Sequence, residues 1–452
     1  METSQLQVRE PLFTNRSLVR LMIPIVIEQL LSLTIGVADT VMVSNIGEAA
    51  VSGVSLSDSI NVLLIQIFAA LATGGAIVAA QYLGSRDNPN AVTAAKQLFY
   101  ASTFIAAVIS VLMLIFKSPI VRLVFGQISD DVRQNTLTYF TITVLSFPSL
   151  AIYNTGAALF RAMGNSRISL YASLMMNIVN VSFNALTIFV FKWGVAGAAS
   201  STLLARTCGA IMLLYLITKP NPTLYIKHIF KISIDFPMIR RILRIGIPSG
   251  LENSMFQVGK LIVASLVSML GTSAIAANSV ANNISSLQFM IGGAFGIALL
   301  TVVGQCMGAQ RHDEAQANIR KLVSTGFITC AVLSIVIFFG RNILINLYNL
   351  TDQSAVLASQ VLMYYAIASG IGWVLAFVIP NALRAAGDVK FTMTVSIVSM
   401  WVFRVAFSYL LYYKFNMGLH SVWTAMYIDW ICRAVFFVWR YMSGKWKTKV
   451  VI

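Results

Sequence analysis

Long apolar runs separated by short polar or charged stretches fill almost the whole chain. Most runs exceed the roughly 20 residues that an α-helix needs to cross a bilayer. Reading each run between its charged and turn-forming punctuation predicts twelve spans. The first half offers Leu18–Val43, Ser57–Leu83, Val92–Phe116, Thr136–Phe160, Ile168–Phe191 and Val195–Thr218. The second offers Ile242–Leu270, Asn278–Val303, Ile319–Phe339, Ala355–Leu383, Phe391–Tyr413 and Leu419–Tyr441. The expected fold is an all-α membrane protein of two pseudo-symmetric six-helix bundles.

The halves also repeat. A shift of 224 brings Pro24 onto Pro248, Glu28 onto Glu252, Gly47 onto Gly271, Gln81 onto Gln305 and Gly84 onto Gly308. At nearly the same shift (223), "ALFRAMGN" (Ala158–Asn165) resembles "NALRAAGD" (Asn381–Asp388). Apolar helices share Leu and Ala by composition, but not Pro, Glu and loop glycines at one constant spacing. An even number of helices per repeat makes the halves parallel, which places a substrate site between them near the bilayer midplane. The sequence predicts lobes at 1–218 and 242–452, joined by a cytoplasmic linker, 219–241, that contains Asn221-Pro222 and several basic residues.

Composition agrees with a membrane protein: 58% of the 452 residues are hydrophobic and 11% are charged, with a mean hydropathy of +0.79. The net charge of +16 changes the picture only through its placement. Of the Lys and Arg residues in the loops and the span ends that flank them, 22, Arg9 among them, fall on the side that holds both termini and 6 on the opposite side. The asymmetry puts both termini in the cytoplasm of a cell in whose plasma membrane the protein sits, and it leaves no need for a nucleic-acid partner. The polar stretch to Ser17 leads into an apolar run too long for a signal peptide, so that run is read as a span. The four cysteines fall in or beside apolar segments without metal-type pairing, and packing is their expected role. No phosphate-binding loop or dinucleotide fingerprint occurs, so neither an enzyme nor a nucleotide-driven pump is expected.

Ionisable groups within spans are costly and therefore functional candidates. Asp39, in "GVADTVMV", has no basic neighbour one turn away. Glu28 lies 11 residues earlier, about three turns, on the same face, so the two carboxylates read as a ladder for protons or sodium. The structural alternative is a buried carboxylate satisfied by hydroxyls or amides. Asn177, Asn180 and Asn184 follow i, i+3, i+7 and share one face of the fifth span, where amide oxygens suit a hard cation and amide hydrogens a carboxylate. Interhelical hydrogen bonding is the competing role. In the second half Glu252 matches Glu28, but Val263 replaces Asp39, Lys260 follows Glu252 by eight residues, and Arg404 falls where the asparagine stripe would be. Asp429 and Arg433 are spaced to pair, and Arg206 has no evident partner.

The segments "IPIVIEQLLSLTIGVADTVMVSNIGEAAVSGVSL", "AAQYLGSRD", "LFRAMGNSR" and "NIVNVSFN…GVAGAASST" resemble the multidrug and toxic compound extrusion family over nearly the whole chain. The resemblance implies a monomeric exporter of cationic or amphipathic small molecules, driven by inward H+ or Na+ flow and without a bound cofactor. It implies a cation site at Asp39, Asn180, Asn184 and Thr202, with Na+ at Asp39, Asn180 and Asn184 as one form. Many relatives carry Asp where this chain has Asn184. The residue aligned with an acid on the tenth helix of other members is Trp373, while Glu252 matches an acid found on the seventh. A flippase for a lipid-linked anionic substrate is the alternative, its phosphate held by Arg206, Lys260, Arg404 and Arg433.

Overall fold

The computed structural model describes residues 10–126, 128–348, 350–449 and 451–452. Arg9 therefore lies outside the described residues. Twelve helical segments stand where the apolar runs predict them. The first six are α1 (Asn15–Ser44), α2 (Glu48–Gly84), α3 (Asn88–Phe125), α4 (Asp130–Leu145 continued by Phe147–Ala162), α5 (Ser166–Val190) and α6 (Gly194–Thr218). The second six are α7 (Phe236–Ser268), α8 (Thr272–Gly308), α9 (His312–Asn346), α10 (from Asp352–Ala368 through Ile379–Ala385), α11 (Val389–Phe415) and α12 (Leu419–Met442). Among the described residues nine of these are long and apolar enough to cross a membrane, and α4, bent by 48° before Pro148, makes a tenth. The other two fall short for identifiable reasons. Helix α7 carries Arg240, Arg241, Arg244, Glu252 and Lys260, and α10 is broken at Val378, ahead of Pro380.

Several helices start earlier than their apolar runs, because polar residues continue the backbone ladder once a cap is in place. Helix α2 starts at Glu48, nine residues before the predicted Ser57, after a turn at Gly47 whose φ of +136° suits glycine. Gly271, with φ +88°, repeats that turn ahead of α8. Helix α7 starts at Phe236, inside the expected linker: Asp235 accepts a hydrogen bond from Met238 N at 3.0 Å, and Pro237 occupies the first turn. The preceding segment is fastened along α3, where Lys96, Gln97 and Tyr100 donate to the carbonyls of Lys231, Ser233 and Ile229 at 2.6–2.7 Å. It lacks regular structure, but it is not a free tether.

The first helix of each half crosses into the other half. Leu18, Leu21, Met22 and Ile25 of α1 belong to the core built mainly by α8–α12. Met238, Ile242 and Ile245 of α7 belong to the core built by α2–α6. Helices α2 and α7 meet backbone to backbone at Gly74 and Gly246, and α2 and α8 meet at Gly84 and Gly308. These contacts lie toward the end of the bundle that carries both termini, hereafter the basic end. At the opposite end the terminal turns of α1 carry Asp39.

Candidate functional site

Helix α1 packs along α5, which packs in turn on α6. This arrangement brings together four residues that the sequence singled out. Asn184 Nδ2 donates to Asp39 Oδ1 at 2.5 Å and lies 3.3 Å from Asn180 Oδ1. Asn180 Nδ2 donates to Thr202 Oγ1 at 3.4 Å. The chain Asp39–Asn184–Asn180–Thr202 thus joins three helices. It is acceptor-rich, because Asn184 Oδ1 is buried without a hydrogen-bond partner and Asp39 makes no salt bridge among the described residues. Buried polar atoms are normally paired, so an orphaned carbonyl oxygen beside an unneutralised carboxylate is suited to a small hard cation. The last turn of α5, Leu186–Val190, is a π-helix, a local widening common at functional sites.

Asn177 is not part of this chain. Its Nδ2 donates to Ser173 O at 2.9 Å, one turn back along the same helix, so the asparagine stripe contributes two members rather than three. Thr187 likewise turns to Phe183 O and Ser201.

The carboxylate ladder on α1 is also corrected. Glu28 is 7% exposed; its Oε1 pairs with Arg161 at 2.8 Å and its Oε2 accepts from Ser169 Oγ at 2.8 Å. With both oxygens engaged, the carboxylate is held as a counter-ion. Glu252 repeats the ion pair, with Arg384 at 2.5 Å, but its Oε2 is buried without a hydrogen-bond partner. The two arginines stand at matching places in the "RAMGN" and "RAAGD" motifs, so the repeat conserves an ion pair within the chain.

Asp58 is the residue that sequence reasoning missed. It lies within Coulomb range of both Asp39 and Arg206, and its Oδ1 is 3.5 Å from Asn61 Nδ2. The apolar run placed it at the mouth of the second span, whereas the early start of α2 sets it nearly three turns inside. Arg206 donates to Ser146 Oγ at 2.7 Å and forms no salt bridge among the described residues.

The second half has different chemistry. Asp429 and Arg433 pair at 2.8 Å, as their spacing predicts, and Ser399 Oγ donates to the same carboxylate oxygen at 2.5 Å. Arg404 NH1 stands 3.9 Å from the other oxygen. Lys260 is exposed and makes no ion pair among the described residues. Trp373 stacks between Phe289 and Phe377. Arg206 therefore sits with the acids of the first half while Lys260, Arg404 and Arg433 belong to the second, so the four cations do not converge on one phosphate. No group of three or more His, Cys, Asp or Glu side chains is placed to bind a metal among the described residues.

Comparison with known proteins agrees with this architecture. The chain is 28% identical over 448 residues to the uncharacterized transporter YisQ of Bacillus subtilis, covering 98% of this chain and 97% of that one. It is 24% identical to a probable multidrug resistance protein NorM of Thermotoga maritima, covering 97% and 94%. Its fold matches the outward-facing structure of a multidrug resistance MATE family transporter of the MOP superfamily with a TM-score of 0.89 at 20% identity, covering 96% of each chain. The family profile MatE matches twice, at residues 24–186 and 248–410, and the second match begins 224 residues after the first (248 against 24), which is the shift read from the sequence. The chain belongs to the multidrug and toxic compound extrusion family of membrane transporters, with one copy of the family repeat in each half.

Proposed function

We propose that this chain is a secondary antiporter that exports organic cations and amphipathic drugs, driven by inward flow of H+ or Na+ through the site at Asp39. The observation that carries the reading is the Asp39–Asn184 pair: a carboxylate held by an amide at 2.5 Å, with no basic partner among the described residues and with an unused amide oxygen alongside. Such a carboxylate exchanges one positive charge for another. H+ can occupy Asp39 alone, while Na+ would use Asp39 with the oxygens of Asn180 and Asn184. A site that holds one positive charge at a time links cation entry to departure of a cationic substrate, because each ligand shifts the population toward the conformation that binds it better.

The 22-to-6 asymmetry of Lys and Arg supports cytoplasmic termini in the plasma membrane. Accordingly we assign the basic end to the cytoplasmic side, where the helices meet, and Asp39 to the outer half of the bundle. The lobes, at 1–218 and 242–452, rock against each other about α1 and α7. The working unit is a monomer.

The test is efflux of ethidium from proteoliposomes, with a proton gradient and a sodium gradient imposed separately. Wild-type protein should respond to at least one gradient, and Asp39→Asn should express and fold but respond to neither. Gradient-driven efflux at the wild-type rate from Asp39→Asn would remove Asp39 from the coupling step.

A further inference from the structure

The shift that relates the two halves inverts their charge. Asn180 falls on Arg404 and Asp39 on Val263, so the place of the first half's cation site is taken in the second by a basic residue. Arg404 sits in a π-helical segment, Met400–Ala406, as the first half's site adjoins the π-turn of α5. Its side chain is 13% exposed. Its guanidinium lies 5.4 Å from the centre of the Phe256 ring, and its Nε is buried without a partner. Among the described residues the one acid paired near it, Asp429, gives one oxygen to Arg433 and Ser399 and leaves the other 3.9 Å from Arg404, too far for a hydrogen bond.

Lys260 adds to the excess. It is exposed and lies one turn beyond Phe256, the ring that Arg404 faces, on the same side of α7. Three cations, Lys260, Arg404 and Arg433, thus stand against one carboxylate. Other donors nearby also lack acceptors. Trp430 Nε1 and the Tyr427 hydroxyl are buried and unpaired, in an aromatic cluster that runs through Phe377 to Phe256. Uncompensated charge inside a bundle is costly and marks a place where a ligand completes the balance. The missing element here is an acceptor carrying negative charge, beside aromatic surface.

We propose that Lys260 and Arg404 bind the oxyanion, a carboxylate or a phosphate, of an amphipathic aromatic substrate. Among amphipathic organic cations the preferred cargo is then one that also carries an oxyanion, a zwitterion. Arg404 presents its guanidinium edge to the oxyanion, Lys260 supplies a second charge from α7, and the Phe256–Phe377 surface takes the apolar body. As a statement about cargo, the inference rests on the transport reading above, but binding itself requires no ion gradient.

The test is equilibrium binding to purified protein by fluorescence anisotropy, using rhodamine B, which carries a carboxylate, and its ethyl ester, which does not. Wild-type protein should bind rhodamine B about tenfold more tightly than the ester, the equivalent of one charge-assisted contact. Lys260→Gln and Arg404→Gln should each abolish most of that preference while leaving ester binding within about twofold. Should Arg404→Gln fail to fold, the exposed Lys260→Gln carries the test. Displacement of rhodamine B by dihexanoyl phosphatidate supports a lipid headgroup as the natural source of the oxyanion, and resistance to it supports a free carboxylate. Equal affinity for the two dyes, or a preference that survives in Lys260→Gln, would overturn the assignment. Because no gradient is applied, that result leaves the Asp39 coupling reading intact, and a failed efflux assay leaves this one intact.

Discussion

Gln81 and Gln305 make the same contact in opposite directions: Gln81 Nε2 donates to Ala385 O at 2.7 Å, and Gln305 Nε2 donates to Ala162 O at 2.7 Å. Each glutamine stands near the basic end of its half and reaches a backbone carbonyl of the other half. Three residues further along each helix, Gly84 and Gly308 let the two helix backbones touch. A Cβ on either would collide with the carbonyl oxygen of Gln305 or Gln81. Two equivalent helices therefore close the basic end through paired hydrogen bonds at a contact too tight for a methyl group.

Closure at this end should consequently depend on the glycines. In a background lacking Cys208, Cys306, Cys330 and Cys432, a cysteine placed at Thr301 should be protected, since Thr301 is 3% exposed and its hydroxyl donates to Arg161 O at 3.0 Å. Adding Gly84→Ala or Gly308→Ala should make that cysteine react with an impermeant maleimide applied from the basic side. Unchanged labelling would show that the contact does not set the closed arrangement.

The two acids of α1 should separate by assay. Glu28→Gln leaves Arg161 without its counter-charge and should cost stability, by about 3 kcal/mol or less for a partly shielded pair, read as a lower unfolding temperature in detergent. Removing both charges in Glu28→Gln/Arg161→Gln should recover part of the loss. Asp39→Asn breaks no ion pair and should leave the melting curve nearly unchanged. A reversed pattern, with Asp39 governing stability, would contradict the site.

Asp58 should contribute to coupling without being indispensable. Its charge reinforces that of Asp39 within the same cluster. Asp58→Asn should slow gradient-driven efflux roughly three- to tenfold, the range for one screened charge at close quarters. Complete loss would promote it to a direct cation ligand, and no change would remove it from the site.

The Asp429–Arg433 pair should be a structural element of the second half. Asp429 is fully buried and Arg433 is 3% exposed. Asp429→Asn should destabilise the protein by about 3–5 kcal/mol, because it strands a buried guanidinium. Thermal unfolding should show Asp429→Asn/Arg433→Gln to be less affected than the single variant.

Helix positions, the 224-residue repeat and the axial alignment of Asp39 with Glu28 were legible in the sequence, because apolar length and periodicity are properties of contiguous residues. So was the likeness of Asn180 and Asn184, which share a face by spacing alone. Three features were not legible. Asn177 satisfies the same spacing yet bonds to its own helix at Ser173 O. Asp58 was hidden because apolar content does not reveal where a capped helix begins. Glu28 looked free because its partner, Arg161, lies 133 residues away.

The sequence by itself determined which segments are helical and that two alike bundles form, since hydrophobic runs and turn residues act locally. Only the tertiary structure decided which carboxylate stays unpaired, which asparagines meet it, and that the first helix of each half lodges in the other. Those outcomes depend on how helices pack side by side, and side-chain partners across a packed interface follow from relative position and rotation, which no single stretch of chain encodes.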